Sequence, residues 1–209
     1  MRLACGTPLL LVSVIASIAF LCPGCAQTPS ILTVQSAKRN VAYSQQFGQA
    51  FASRTEDGAH EFILVADDAI RSAPREPGGP LTPVAKTPLR QVVHVRVLWE
   101  PLNGVEETVT RNASISWFVF TDTAAGTVGI REYQGTAYAS VDSASGGNAT
   151  RVTLRHGTLK PYSSRGSLSD PIGMGKLEGT FTAIRNPNRV RELLAATRAR
   201  TAEASASVN

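Results

Sequence analysis

The chain has 209 residues, of which 43% are hydrophobic and 18% charged, and a formal net charge of +5. That length suits about one domain, and the balance is that of a globular chain able to bury a core. The basic residues are scattered without a run of five or six, which argues against nucleic acid as a partner, while a sequence pI near 9.4 favours contact with anionic lipid or polysaccharide.

Met1-Arg2 supplies a short positive start, and Leu9 to Cys22 forms an apolar run of 14 residues. That length fits the hydrophobic part of an export signal and falls short of a membrane span. The run closes on Cys22-Pro23-Gly24-Cys25, and here the chain resembles the lipobox of bacterial lipoproteins. Gly24 and Cys25 match the small residue and lipid-accepting cysteine of that family, whereas Cys22 stands where the family usually has Leu. The resemblance covers residues 1–25 only and implies diacylglycerol and palmitate on Cys25, which would become the new N-terminus. Ala26 after the cysteine resembles lipoproteins sorted to the periplasmic face of an outer membrane, where the organism has two membranes. Acyl chains contribute about 0.8 kcal/mol per buried methylene, so several together hold firmly. Ordinary cleavage after Ala26, releasing a soluble protein, is one competing reading, and an uncleaved short anchor is the other.

Cys5, Cys22 and Cys25 are the only cysteines. The domain behind them is therefore expected to lack disulfides, thiolate metal sites and a cysteine nucleophile, and to depend on core burial.

Residues 26–39 read as a tether, residues 40–200 as a single β-rich domain and residues 201–209 as a flexible tail. Tyr43, Phe47, Ala50 and Phe51 fall at helical spacing and predict a short helix over Asn40–Ser53. Glu61 to Ala69 holds a continuous apolar stretch suited to a buried strand. Pro74 to Pro88 carries five prolines and two glycines in 15 residues and predicts a long loop.

Strand signals then crowd together. In Gln91 to Trp99, Val93, Val95, Val97 and Trp99 share one face, with His94 and Arg96 on the other. Asn103-Gly104 suits a tight hairpin turn. Further strands are predicted at Ala113–Phe120, at Gly126–Val141 (one strand or two, broken near Gly135), at Arg151–Leu159 and at Gly175–Arg185. A turn falls at Gly146-Gly147-Asn148, and a second loop spans Pro161–Met174. Asn186 to Arg200 predicts a helix capped by Asn188, with Val190, Leu193, Leu194 and Thr197 along one face. The sum is a mainly β, α+β fold: an antiparallel sandwich or partly open barrel of about six strands with a C-terminal helix.

Motifs for catalysis are scarce. His60, His94 and His156 lack metal-binding spacing; strand parity turns His156 inward and His94 outward, so no metal site and no cofactor is expected. Asp67 and Asp68 would point to opposite faces of a strand. No Gly-x-Ser-x-Gly elbow occurs, and Gly166-Ser167 lacks the strand–turn–helix setting. Gly173-Met174-Gly175-Lys176 is too short for a phosphate loop. Asn112-Ala-Ser and Asn148-Ala-Thr are glycosylation sequons by chance, given a bacterial-type leader.

One positive pattern is left. Arg96, Arg131, Arg151 and Arg155 take the more polar parity of their strands, and on one sheet face they would bind phosphate or carboxylate groups; the alternative is a solvated face. The leading reading is a membrane-anchored, non-catalytic envelope lipoprotein binding an anionic envelope component or a partner protein. A β-barrel carrier of an apolar ligand and an envelope hydrolase, with Ser or an acid beside His60 or His156, are the alternatives.

Overall fold

Alternating β-branched and aromatic residues build eleven strands: β1 (Ser30–Ser36), β2 (Val41–Phe47), β3 (Gln49–Arg54), β4 (His60–Ala66), β5 (Arg71–Pro74), β6 (Thr82–Pro83), β7 (Leu89–Val97), β8 (Ala113–Asp122), β9 (Val128–Ser143), β10 (Ala149–Arg165) and β11 (Gly175–Arg185). Helix α1 (Pro187–Ala206) follows. The computed structural model that gives these elements describes residues 30–37, 41–66, 71–74, 82–83, 89–100, 111–122, 128–143, 147–166 and 170–206. Residues 1–29, with Cys25 and the segment expected to be an export signal, lie outside the described residues, as do Asp67, Asp68, Asn103, Gly104 and Ser167.

The mainly β class and the C-terminal helix are as read from the sequence, but the described residues form eleven strands rather than about six. The six predicted strands are β4, β7, β8, β9, β10 and β11, and β9 is unbroken at Gly135. The other five occupy segments read otherwise. Residues taken as a tether form β1, which pairs with β11 on one side and β2 on the other. The helix expected over Asn40–Ser53 is absent, and β2 and β3 occupy the segment, separated only by Gly48. Its aromatic spacing is strand alternation: Tyr43 and Phe47 are both buried on one side, with Gln45 between them. Pro74 and Pro83 end the short strands β5 and β6, the last in the strand order, where a missing N–H disturbs few ladder bonds. Likewise Pro161 lies in β10, not in a loop. Beyond Leu159 that strand pairs with β9 alone, so one side needs no donor.

The sheet closes on itself. Its order runs β10-β9-β8-β7-β4-β3-β11, and β11 pairs again with β10. β11 meets β3 in parallel at Ile184↔Phe51 and Arg185↔Ala52, and over its earlier half it meets β1 instead. β1 thus fills the place between β11 and β2, and the ladder returns to its start without an open edge in the ring.

Inward-pointing residues of every ring strand make one core. Leu32, Phe62, Val93, Trp117, Tyr133, Leu154 and Phe181 are each at most 1% exposed. Aromatic rings interlock across it: Phe47 meets Trp117 edge-on at 5.7 Å between centroids, and Phe62 meets Phe181 at 5.5 Å. Glycines let the strands close tightly; a Cβ on Gly135 would stand 2.0 Å from the Thr158 carbonyl oxygen, and one on Gly179 2.3 Å from that of Ile31.

α1 covers part of the outer face. A second core joins Ile63, Val92, Phe120 and Ile130 of the barrel to Val190 and Ala204 of the helix, with Leu193 and Leu194 packed against it. That explains the unbroken apolar run of β4: Leu64 faces the interior and Ile63 faces the helix. Asn186, not Asn188, caps the helix, accepting from the Arg189 amide at 3.0 Å, with Pro187 at the first helical position. The tail expected to fray from Thr201 is helical to Ala206, because Ala204 is 1% exposed and extends the apolar stripe.

Candidate functional site

The four arginines do not share a face. Arg96 on β7 points away from the interior and pairs with Asp57, Nη2 to Oδ2 at 2.6 Å. Arg131 on β9 has the opposite parity: it stands across from Val119, whose side chain is in the interior core, and its Nη1 lies 4.0 Å from Asp170 Oδ2. Arg151 and Arg155 are exposed on β10, which β8 and β9 separate from β7. Parity within one strand is readable from the sequence, but which parity is inward on each strand depends on closure.

Polar groups gather inside the barrel near the level of Arg131. Gln91 Nε2 donates to Gln45 Oε1 at 2.6 Å, and Trp117 Nε1 donates to Gln91 Oε1 at 2.9 Å. Gln45 Nε2 in turn donates to the Gln46 carbonyl at 2.7 Å. Next to them the Tyr133 hydroxyl donates to Asp170 Oδ1 at 2.6 Å, and the same oxygen accepts from the Gly173 amide at 2.8 Å. Burial, with the neighbouring Asp170 carboxylate, pushes the Tyr133 phenol far above its ordinary value, so it stays a donor. Asp170 thereby ties the segment before β11 across the barrel end and seats Ile172, 1% exposed, in the core. These contacts join protein to protein and suit closure of the end.

The histidines stay apart. His94 lies under α1, its Nε2 3.6 Å from Glu61 Oε1, and burial holds its proton affinity below the ordinary value. His60 Nε2 stands 2.5 Å from Glu100 Oε1, so an acid does adjoin this histidine; among the described residues no hydroxyl hydrogen-bonds to it. His156 does not face inward. A β-bulge between Arg155 and Thr158 gives it φ of 51° and turns it to solvent, because an extra residue resets the alternation. Among the described residues no three His, Cys, Asp or Glu side chains are grouped to hold a metal ion. Asn112, in one sequon, is fully buried and spends its amide on the Trp99 and Ala139 carbonyls and the Ala139 amide, so it offers no atom to a glycan.

A different set of cations surrounds a groove of about 580 Å³ on the outer face of β9, β10 and β11. Outward residues alternate with the core residues Tyr133, Ala137, Leu159 and Leu177, and this brings Gln134, Thr136, Thr158, Lys160 and Lys176 to the groove. Arg111 reaches in from the start of β8, its Nη1 donating to Thr136 Oγ1 at 3.1 Å. Ala37, Met174 and the backbones of Gly135 and Gly175 complete the lining. Among the described residues none of Arg111, Lys160 and Lys176 forms an ion pair, and no acid lines the groove. Three like charges around a concave, partly apolar surface raise its positive potential and concentrate anions there. Sequence reading missed these residues, although alternation along β10 and β11 already placed Lys160 and Lys176 opposite the core positions.

Comparison of the chain with protein-family models, with curated proteins and with solved structures finds no match.

Proposed function

We propose that this chain is an envelope lipoprotein, anchored through Cys25, whose barrel is a non-catalytic binding or scaffold domain working through its outer surface. The observation that carries the reading is the filled interior. Trp117, Tyr133, Phe62 and Phe181 occupy it, and Gln45 and Gln91 use their amides on each other and on Trp117. A carrier needs an interior that its ligand can enter, and here entry would require expelling packed aromatic side chains. Recognition is left to the outside, where the cationic groove offers a concave surface of suitable chemistry.

The anchor fits the fold. Only four residues separate Cys25 from Ser30, the first residue of β1, so the barrel would sit within roughly 17 Å of the acylated residue. Metabolic labelling with a radioactive fatty acid tests the anchor: the wild-type chain takes up label and Cys25→Ser does not. Label on both, or on neither, overturns it.

A further inference from the structure

Resting on the reading of the barrel as a surface-binding domain, we propose that the groove over β9, β10 and β11 holds the phosphate of a single anionic amphiphile, with its apolar part along Met174 and Ala37. The lining supports that class in three ways. Arg111, Lys160 and Lys176 supply up to three positive charges with no described acid among them, which matches a group carrying one or two negative charges. Thr136, Thr158 and Gln134 add neutral donors to reach several oxygens at once. Met174, 47% exposed, gives an adaptable apolar wall, and the groove volume of about 580 Å³ lies within the range of small-molecule sites, roughly 300–1,000 Å³.

Position argues for one captured molecule rather than a bilayer surface. Ala37 and Gly175 lie at the Ser36 end of β1, and the residue nearest the anchor, Ser30, lies at the other end. Seven residues of strand carry the groove about 20 Å along the chain from that end.

The test uses the full chain carrying Cys25→Ser, so that acylation does not contribute, titrated with short-chain lipids below their micelle concentration. Dihexanoyl phosphatidylglycerol binds, dihexanoyl phosphatidylcholine does not, and inorganic phosphate binds at least about tenfold more weakly because it lacks the apolar part. Lys160→Gln with Lys176→Gln weakens phosphatidylglycerol binding about tenfold or more, and Lys160→Arg with Lys176→Arg restores it. Arg151→Gln with Arg155→Gln, on the same strand outside the groove, changes it less than twofold. Equal binding of phosphatidylcholine or of phosphate, or undiminished affinity in the glutamine pair with its fold intact by circular dichroism, overturns the proposal. Failure here leaves the Cys25 labelling result standing, and failure of labelling leaves this titration interpretable.

Discussion

Inside the barrel, Gln45, Gln91 and Trp117 hold one another in a closed chain, whereas on its outside Arg111, Lys160 and Lys176 gather around an open groove with no described acid among them. Gln45, Gln91 and Trp117 lie on β2, β7 and β8 and face inward, whereas Lys160 and Lys176 lie on the paired strands β10 and β11 and face outward; on each strand alternation decides the side. A buried polar group must find a partner within the protein or lose about 1–3 kcal/mol. A group on the outer face keeps its water, so it can wait for a ligand. Polar residues inside this molecule therefore serve closure, and those outside are free to serve recognition.

Replacing side chains on the two surfaces should widen that contrast. The largest effect is expected from Trp117→Ala, which removes the central ring and its indole donor and should cost about 3–5 kcal/mol in denaturant unfolding. Gln91→Leu leaves the Trp117 indole and the Gln45 carbonyl without that partner and should cost about 2–4 kcal/mol, even though leucine is the more apolar residue. Tyr133→Phe releases the Asp170 tie and should cost about 1–3 kcal/mol. It should also abolish a loss of stability above about pH 10, because the unfolded phenol ionises there while the folded one is held protonated.

His94 gives a smaller, signed effect. Its folded proton affinity is lowered by burial, with Glu61 opposing the shift and Arg198 and Arg96 adding to it. Below the ordinary histidine value of about 6.5 the unfolded chain binds the extra proton more readily. Stability should therefore fall as pH drops from 7 toward 5, and His94→Gln should flatten that slope in thermal unfolding followed across pH. Smallest of all, Arg151→Gln with Arg155→Gln on the outer face should stay within about 0.5 kcal/mol of wild type.

Much of this architecture was legible in the sequence. Six strands announced themselves by alternation, and Val93, Val95 and Val97 are fully buried on one side as their spacing implied. Trp99 departs from the pattern because β7 ends at Val97, leaving it 38% exposed. The missed strands have a common cause: β1 is short and half polar, with Thr33, Gln35 and Ser36 among its residues, and is held by neighbours far away in the chain rather than by local preference. The Tyr43 and Phe47 spacing satisfied a helix and a strand equally, and only pairing with β1 decides between them. For the site, the arginine cluster failed because parity says which residues share a face within a strand, not which way that face turns. Lys176 was passed over because it was weighed as part of a phosphate loop, whereas its place in the groove comes from β11 lying beside β10.

The seam between the first and last strands has a consequence for biogenesis. Ile31 lies opposite Thr180 and Ser36 opposite Gly175, so β1, which pairs on one side with the adjacent β2, must wait for nearly the entire polypeptide before it gains its second neighbour. Closure of this molecule therefore comes late: such distant pairing is slow to form, and until β11 is in place the incomplete cylinder exposes two raw margins.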